Sequence, residues 1–240
     1  MVFWKMLTLG SLCLLSVVSK NSLAAMSKSR LEISSAEFKV VEKVSPVHFE
    51  ERNDYVSFEN EKGAPEMGEA ISVIKDLVAL GKEIYPLVEK GRPTVSMTDF
   101  KGISVLPRSD QSSNLSYPEF YEMENWWLPG FARYEIILKN IYGVTVVHFV
   151  FSVHYQPGGS YQGKGKYLTN VAIVSDQLLV RWGFDFNAQV KLVGITNMGD
   201  KENRVAGATL QVEYTAKSVM NEYQNTSRFF VSGDGTLKKL

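Results

Sequence analysis

One cysteine, three histidines and no surplus of either charge are what this 240-residue chain has least of. With Cys13 as its lone thiol, the chain cannot close a disulfide on itself. Its 26 basic and 26 acidic side chains cancel. It therefore lacks the basic excess by which nucleic-acid-binding domains attract phosphate, and no nucleic-acid partner is expected. After residue 25 no apolar run reaches the roughly 20 residues of a membrane-spanning helix. What is present suits a folded core: 45% of residues are hydrophobic and 12% aromatic, which excludes a disordered tail.

The first 25 residues read as an export leader. Lys5 provides a short positive start, and 6–18 (MLTLGSLCLLSVV) is apolar apart from small and hydroxyl residues. Small residues at Ser22 and Ala24 suit cleavage after Ala24. The expected organisation is a signal peptide over 1–24 and a single β-rich domain over 25–240, secreted or periplasmic. Gly10 stands three residues before Cys13, where a lipid-attachment site has leucine, which speaks against a lipoprotein. Cleavage would remove the only thiol, leaving no disulfide and no cysteine nucleophile in the mature chain. A domain of this size buries roughly 70% of its unfolded surface, enough for a core built from hydrocarbon alone.

Periodicity divides the rest of the chain. Over 65–85, Pro65 suits a first helical turn, and Ile71, Ile74, Leu77, Val78 and Ile84 recur along one helical face. The spacing predicts one amphipathic helix there, packed on a sheet. From residue 92 the pattern turns to strands, at 94–97, 103–106, 134–139, 144–155, 167–174, 178–186, 190–196, 206–214 and 229–232. Gly, Asn, Asp and Pro gather in most of the spacers between them. The run 144–153 (VTVVHFVFSV) is apolar on both faces, as in a central strand. Leu178, Val180, Trp182, Phe184 and Phe186 alternate with polar residues, which places Trp182 in the core. The predicted fold is α+β: a predominantly antiparallel β-sandwich or curled sheet with that one helix packed on it.

Two segments stand out as candidate sites. The stretch 117–127 (YPEFYEMENWW) sets five aromatic rings beside Glu119, Glu122 and Glu124. Tyr117, Tyr121, Trp126 and Trp127, with Glu122 and Glu124, are the candidate ligand-binding residues. Flat rings stack on the apolar face of a sugar while carboxylates accept its hydroxyl hydrogen bonds. Buried rings closing one end of a sandwich would look the same in sequence. The segment 156–166 (QPGGSYQGKGK) holds four glycines with Lys164 and Lys166, the candidate anion-binding residues. Backbone N–H groups and ammonium charge can meet a phosphate or carboxylate there, although the order of glycine and lysine is not that of a P-loop. A flexible hairpin connection is the plainer reading.

Other chemistries find little support. His148 and His154 share a strand face, but six residues of strand separate them by roughly 20 Å. They cannot share one metal ion with bonds of about 2 Å, and neither metal nor cofactor is expected. The Gly-x-Ser-x-Gly elbow of a serine hydrolase is missing. The residues point to an exported non-catalytic binding or structural protein that contacts a glycan, an envelope component or another protein. One alternative is a carboxylate-dependent hydrolase of envelope polysaccharide that uses Glu122 and Glu124. The other is a secreted pore-forming or membrane-binding β protein.

Overall fold

The structure is a computed structural model that describes residues 30–48, 77–80, 84–89, 92–93, 102–108, 118 and 120–240. The leader with Cys13, Tyr117 and the strand candidate at 94–97 lie outside the described residues. The strands are β1 (Ile33–Val44), β2 (Leu77–Leu80), β3 (Ile84–Glu89), β4 (Arg92–Pro93), β5 (Ile103–Pro107), β6 (Met123–Glu124) and β7 (Gly130–Asn140). They continue with β8 (Thr145–Tyr161), β9 (Lys164–Val180), β10 (Phe184–Asn197), β11 (Ala206–Ser218), β12 (Glu222–Ser232) and β13 (Leu237–Lys239). A single 3-10 turn spans Phe120–Glu122.

These strands form two antiparallel sheets. The first has the order β1-β7-β8-β9-β5-β2, with β6 also on β8; the second has the order β13-β12-β11-β10-β3-β4. β7 shows why the chain folds this way. Ala132, Tyr134, Ile136 and Leu138 are buried, while Arg133, Glu135 and Lys139 alternate with them on the other face. β11 does the same from the opposite sheet, burying Ala208, Leu210, Val212, Tyr214 and Ala216. The inner faces meet through aromatic rings: Tyr134 lies 4.7 Å from Phe229 and Phe149 lies 5.1 Å from Phe186, centroid to centroid. The sheet edges are tied as well, with Lys239 Nζ of β13 3.1 Å from the centre of the Phe38 ring of β1.

Three sequence-based expectations are corrected here. The helix over 65–85 is not found where that stretch is described. Leu77–Leu80 pairs with β5, and Ile84–Glu89 pairs with β10, while 65–76 and 81–83 lie outside the described residues. Short apolar runs such as LVAL satisfy a helical stripe and a buried strand equally, so periodicity could not separate the two. The described molecule is therefore antiparallel β rather than α+β.

The second correction concerns 175–177, which is no turn. β9 runs straight through it, with a bulge where its register against β8 shifts between Gln177 and Ser175. The reversal comes later, where Phe184 N–H donates to Arg181 O at 3.2 Å and Gly183 takes φ +87°. Trp182 sits on that turn and is 91% exposed instead of buried. Third, 157–161 is not a loop but the end of β8; the hairpin turns only at Gln162 and Gly163. The central-strand reading of 144–153 agrees with the fold: β8 lies between β7 and β9, with Val146 and Val150 buried on the face turned away from the core.

The two ends of the sandwich differ. At one, backbone hydrogen bonds cross between sheets: Lys166 N–H donates to Arg204 O at 2.7 Å and Gly158 N–H to Gly233 O at 2.9 Å, while Gly233 N–H is held within the second sheet by Ala206 O at 2.7 Å. A Cβ on Gly233 would overlap Lys166 O, so only glycine permits this closure. At the other end the turns β7–β8, β9–β10 and β11–β12 stand side by side. Arg181 N–H donates to Val146 O at 2.9 Å, and Phe184 is paired with Ser218.

Candidate functional site

The closed end brings together the two segments singled out by sequence. Met123 and Glu124 pair with Tyr161 and Ser160. Asn125 then takes φ +60° and donates from Nδ2 to Ser160 Oγ at 2.9 Å. Trp127 N–H donates to Pro157 O at 3.0 Å, and Gln156 Nε2 donates to Trp127 O at 3.0 Å. This lays Trp126 over Gly159 and Trp127 over Gly158, close enough that a Cβ on either glycine would overlap the indole. The glycines are thus seats for rings, not a flexible connection.

Trp126 packs against the core, with its Nε1 buried and lacking a hydrogen-bond partner. Trp127 is half-buried, with His48 edge-on at 5.7 Å and Lys166 Nζ 5.8 Å from its ring centre. Beside them Asp234 accepts from the Ser232 hydroxyl and from Thr236 N–H at 3.0 Å. Burial pushes the Asp234 carboxyl up, but these hydrogen bonds and the Lys166 charge together hold it below its ordinary value.

The remaining candidates line the rim of this end. Tyr121, on the 3-10 turn, is 81% exposed, and Glu122 and Glu124 are exposed beside it. The strand that would have set Glu122 and Glu124 on one face begins only at Met123. Lys164 and Lys166 are exposed at the start of β9.

The outer face of the first sheet carries a polar chain that sequence reading missed. Arg133 donates from Nη1 to Glu42 Oε2 at 2.8 Å and from Nε to Asp176 Oδ2 at 3.1 Å. Ser152 donates its hydroxyl to Asp176 Oδ1 at 3.0 Å and lies 2.8 Å from His154 Nε2. With its one proton committed to Asp176, Ser152 accepts from His154, which fixes the Nε2–H tautomer. Phe131 stacks on the imidazole at 5.4 Å. Burial lowers the His154 pKa and Arg133 adds to this, against the opposing pull of Asp176. A hydrolytic triad needs histidine to take the serine proton; here histidine gives one, and Ser152 is 1% exposed. The arrangement holds four strands in register. Only the alternation of Ser152 and His154 was visible in sequence, because the β9 bulge is what turns Asp176 toward them.

His148, on the same face, meets Glu135 at 2.6 Å instead of its fellow histidine. Among the described residues no three His, Cys, Asp or Glu side chains gather as a metal-holding group. Nor is any helix among them long and apolar enough to cross a membrane.

The open end is the second feature missed by sequence reading. Its three turns expose Ile141, Tyr142 and Val144; Leu179 and Trp182; and Val219 and Met220, with Val219 80% exposed. The segment 30–33 packs here. Asn140 Nδ2 donates to Arg30 O at 3.0 Å, Leu31 fills the space beside Gly183, and Asn221 brackets the backbone of Ile33 at 2.9 and 3.0 Å. These contacts hold the turns side by side. The signal available in sequence was Gly183 after Trp182, which the apolar alternation outweighed.

Compared with known proteins, the chain matches no family model, no curated protein and no solved structure.

Proposed function

We propose that this is an exported, non-catalytic β-sandwich that acts by binding, with the three turns at its open end as the contact surface. The observation that carries the reading is the set of exposed apolar side chains there, led by Trp182 and Val219. Monomeric proteins rarely leave contiguous apolar groups in water unless a partner covers them. The Ser152–His154–Asp176 chain supports the non-catalytic part, since its protons run the wrong way for nucleophilic attack. The leader pattern of 1–24 supports export, to a secreted or periplasmic location. The test is co-sedimentation with a membrane-and-wall preparation from the producing cell. Replacing Trp182 and Val219 together by serine abolishes retention on this reading; equal retention rejects the open end as the contact surface.

A second reading places a glycan at the closed end, favoured by the exposed Tyr121 ring beside Glu122 and Glu124. A soluble-glycan panel tests it, with Tyr121→Ala expected to lose any binding. The same panel, followed for hydrolysis in Glu122→Gln and Glu124→Gln, separates binding from turnover.

A further inference from the structure

We infer that the open end docks on the surface of a lipid bilayer that carries anionic headgroups. This rests on the reading of that end as the contact surface and names what it contacts. The chemistry of the tips selects the occupant. Trp182 and Tyr142 are the two ring types that favour the boundary between headgroups and acyl chains, polar at one edge and apolar elsewhere. Ile141, Val144, Leu179, Val219 and Met220 supply hydrocarbon at the same end.

Charge complements this. Across 140–146, 177–184 and 218–221 there is one basic residue, Arg181, and no carboxylate. Arg181 is exposed, and its Nε donates to Thr145 O at 2.6 Å, which anchors the guanidinium between two turns at the level of a phosphate layer. Further from the tips, Lys139 is paired with Glu37 and Lys217 with Glu222 at 3.9 Å. Asp185 beyond Phe184 is exposed, and Arg30 and Glu32 of the segment 30–33 are exposed with opposite signs that offset each other, which leaves Arg181 as the charge at the tips themselves. Three short turns on a rigid sandwich suit shallow docking, with the strands left in the fold.

The test uses the full chain with vesicles of phosphatidylcholine and phosphatidylglycerol whose acyl chains are brominated. The readout is the emission contributed by Trp182, taken as the difference between wild type and Trp182→Phe, so that any binding through 6–18 does not enter. Quenching of that emission by the brominated chains is expected. Trp182→Ser with Val219→Ser weakens vesicle binding about tenfold or more, since each large apolar group withdrawn from water is worth on the order of a decade in Kd. Arg181→Gln weakens binding to these vesicles but not to phosphatidylcholine alone.

Absence of Trp182 quenching overturns the inference. If Trp182→Ser instead dissolves a self-association seen by light scattering, the occupant is a second copy of this chain: the lipid inference falls and the contact reading stands. If the substitution changes neither, the lipid inference falls, and the contact reading falls with it only if retention in the co-sedimentation test is also unchanged.

Discussion

Trp182 and Trp126 carry opposite environments, and fluorescence separates them. Trp182 on its turn is open to solvent, while Trp126 is packed over Gly159. Acrylamide is expected to quench the Trp182 contribution strongly and that of Trp126 weakly, as read in single-tryptophan variants; equal quenching would refute the turn at 181–183. Trp182→Ser should move the melting temperature little, because exposed substitutions are usually within about 0.5 kcal/mol. Gly159→Ala is expected to destabilise by about 1–3 kcal/mol, because the new methyl collides with Trp126 Cη2. Adding Trp126→Phe, which removes the colliding atoms, should recover part of that loss in denaturant titrations. If Gly159→Ala were neutral, the ring would not be seated where we describe it.

At the scale of strands, the chain Glu42–Arg133–Asp176–Ser152–His154 crosses β1, β7, β9 and β8 on one sheet face. The His154 pKa is lowered in the fold, chiefly by burial, so the unfolded chain binds its proton more readily. Its contribution to stability is fully present above the ordinary histidine value of about 6.5 and is lost as pH falls from there through the folded value. Denaturant midpoints measured between neutral and mildly acid pH should fall accordingly, and the His154→Gln variant should show a shallower fall. An identical slope in both would place the titration elsewhere. Ser152→Ala strands the Asp176 oxygen and the His154 N–H together and is expected to cost about 1–3 kcal/mol. Strands whose faces differ sharply, such as β7 and β11, were legible from alternation. β9 was not: its bulge at Asp176 and its turn at Gly183 depend on how β8 and Leu31 pack against them.

For the whole molecule, the closed end joins the sheets through backbone hydrogen bonds, whereas the open end rests on side chains and the segment 30–33. Gly233→Ala pushes a methyl into Lys166 O and should raise hydrogen exchange at Gly158, Lys166 and Gly233 well before β7 or β11. Uniform exchange would argue against a local closure. Asp234 reinforces that end. Its pKa is lowered in the fold, so its contribution is present above the ordinary aspartate value of about 3.9 and is lost as pH falls through the lower folded value. Asp234→Asn should therefore lose stability at neutral pH and show a weaker acid dependence than wild type.

The sequence by itself determined the antiparallel β character, the central position of β8, the aromatic and glycine-lysine segments as unusual, and the want of a thiol outside 1–24. Each of these is written in composition or in a period of two, which any fold of the chain must respect. Only the tertiary structure decided that 77–80 and 84–89 are strands, that Gly158 and Gly159 exist to seat Trp127 and Trp126, and that Trp182 faces water with Val219 and Tyr142. Those outcomes depend on which distant segments meet. An apolar residue carries the same hydrophobicity whether a strand from another part of the chain covers it or leaves it at a tip.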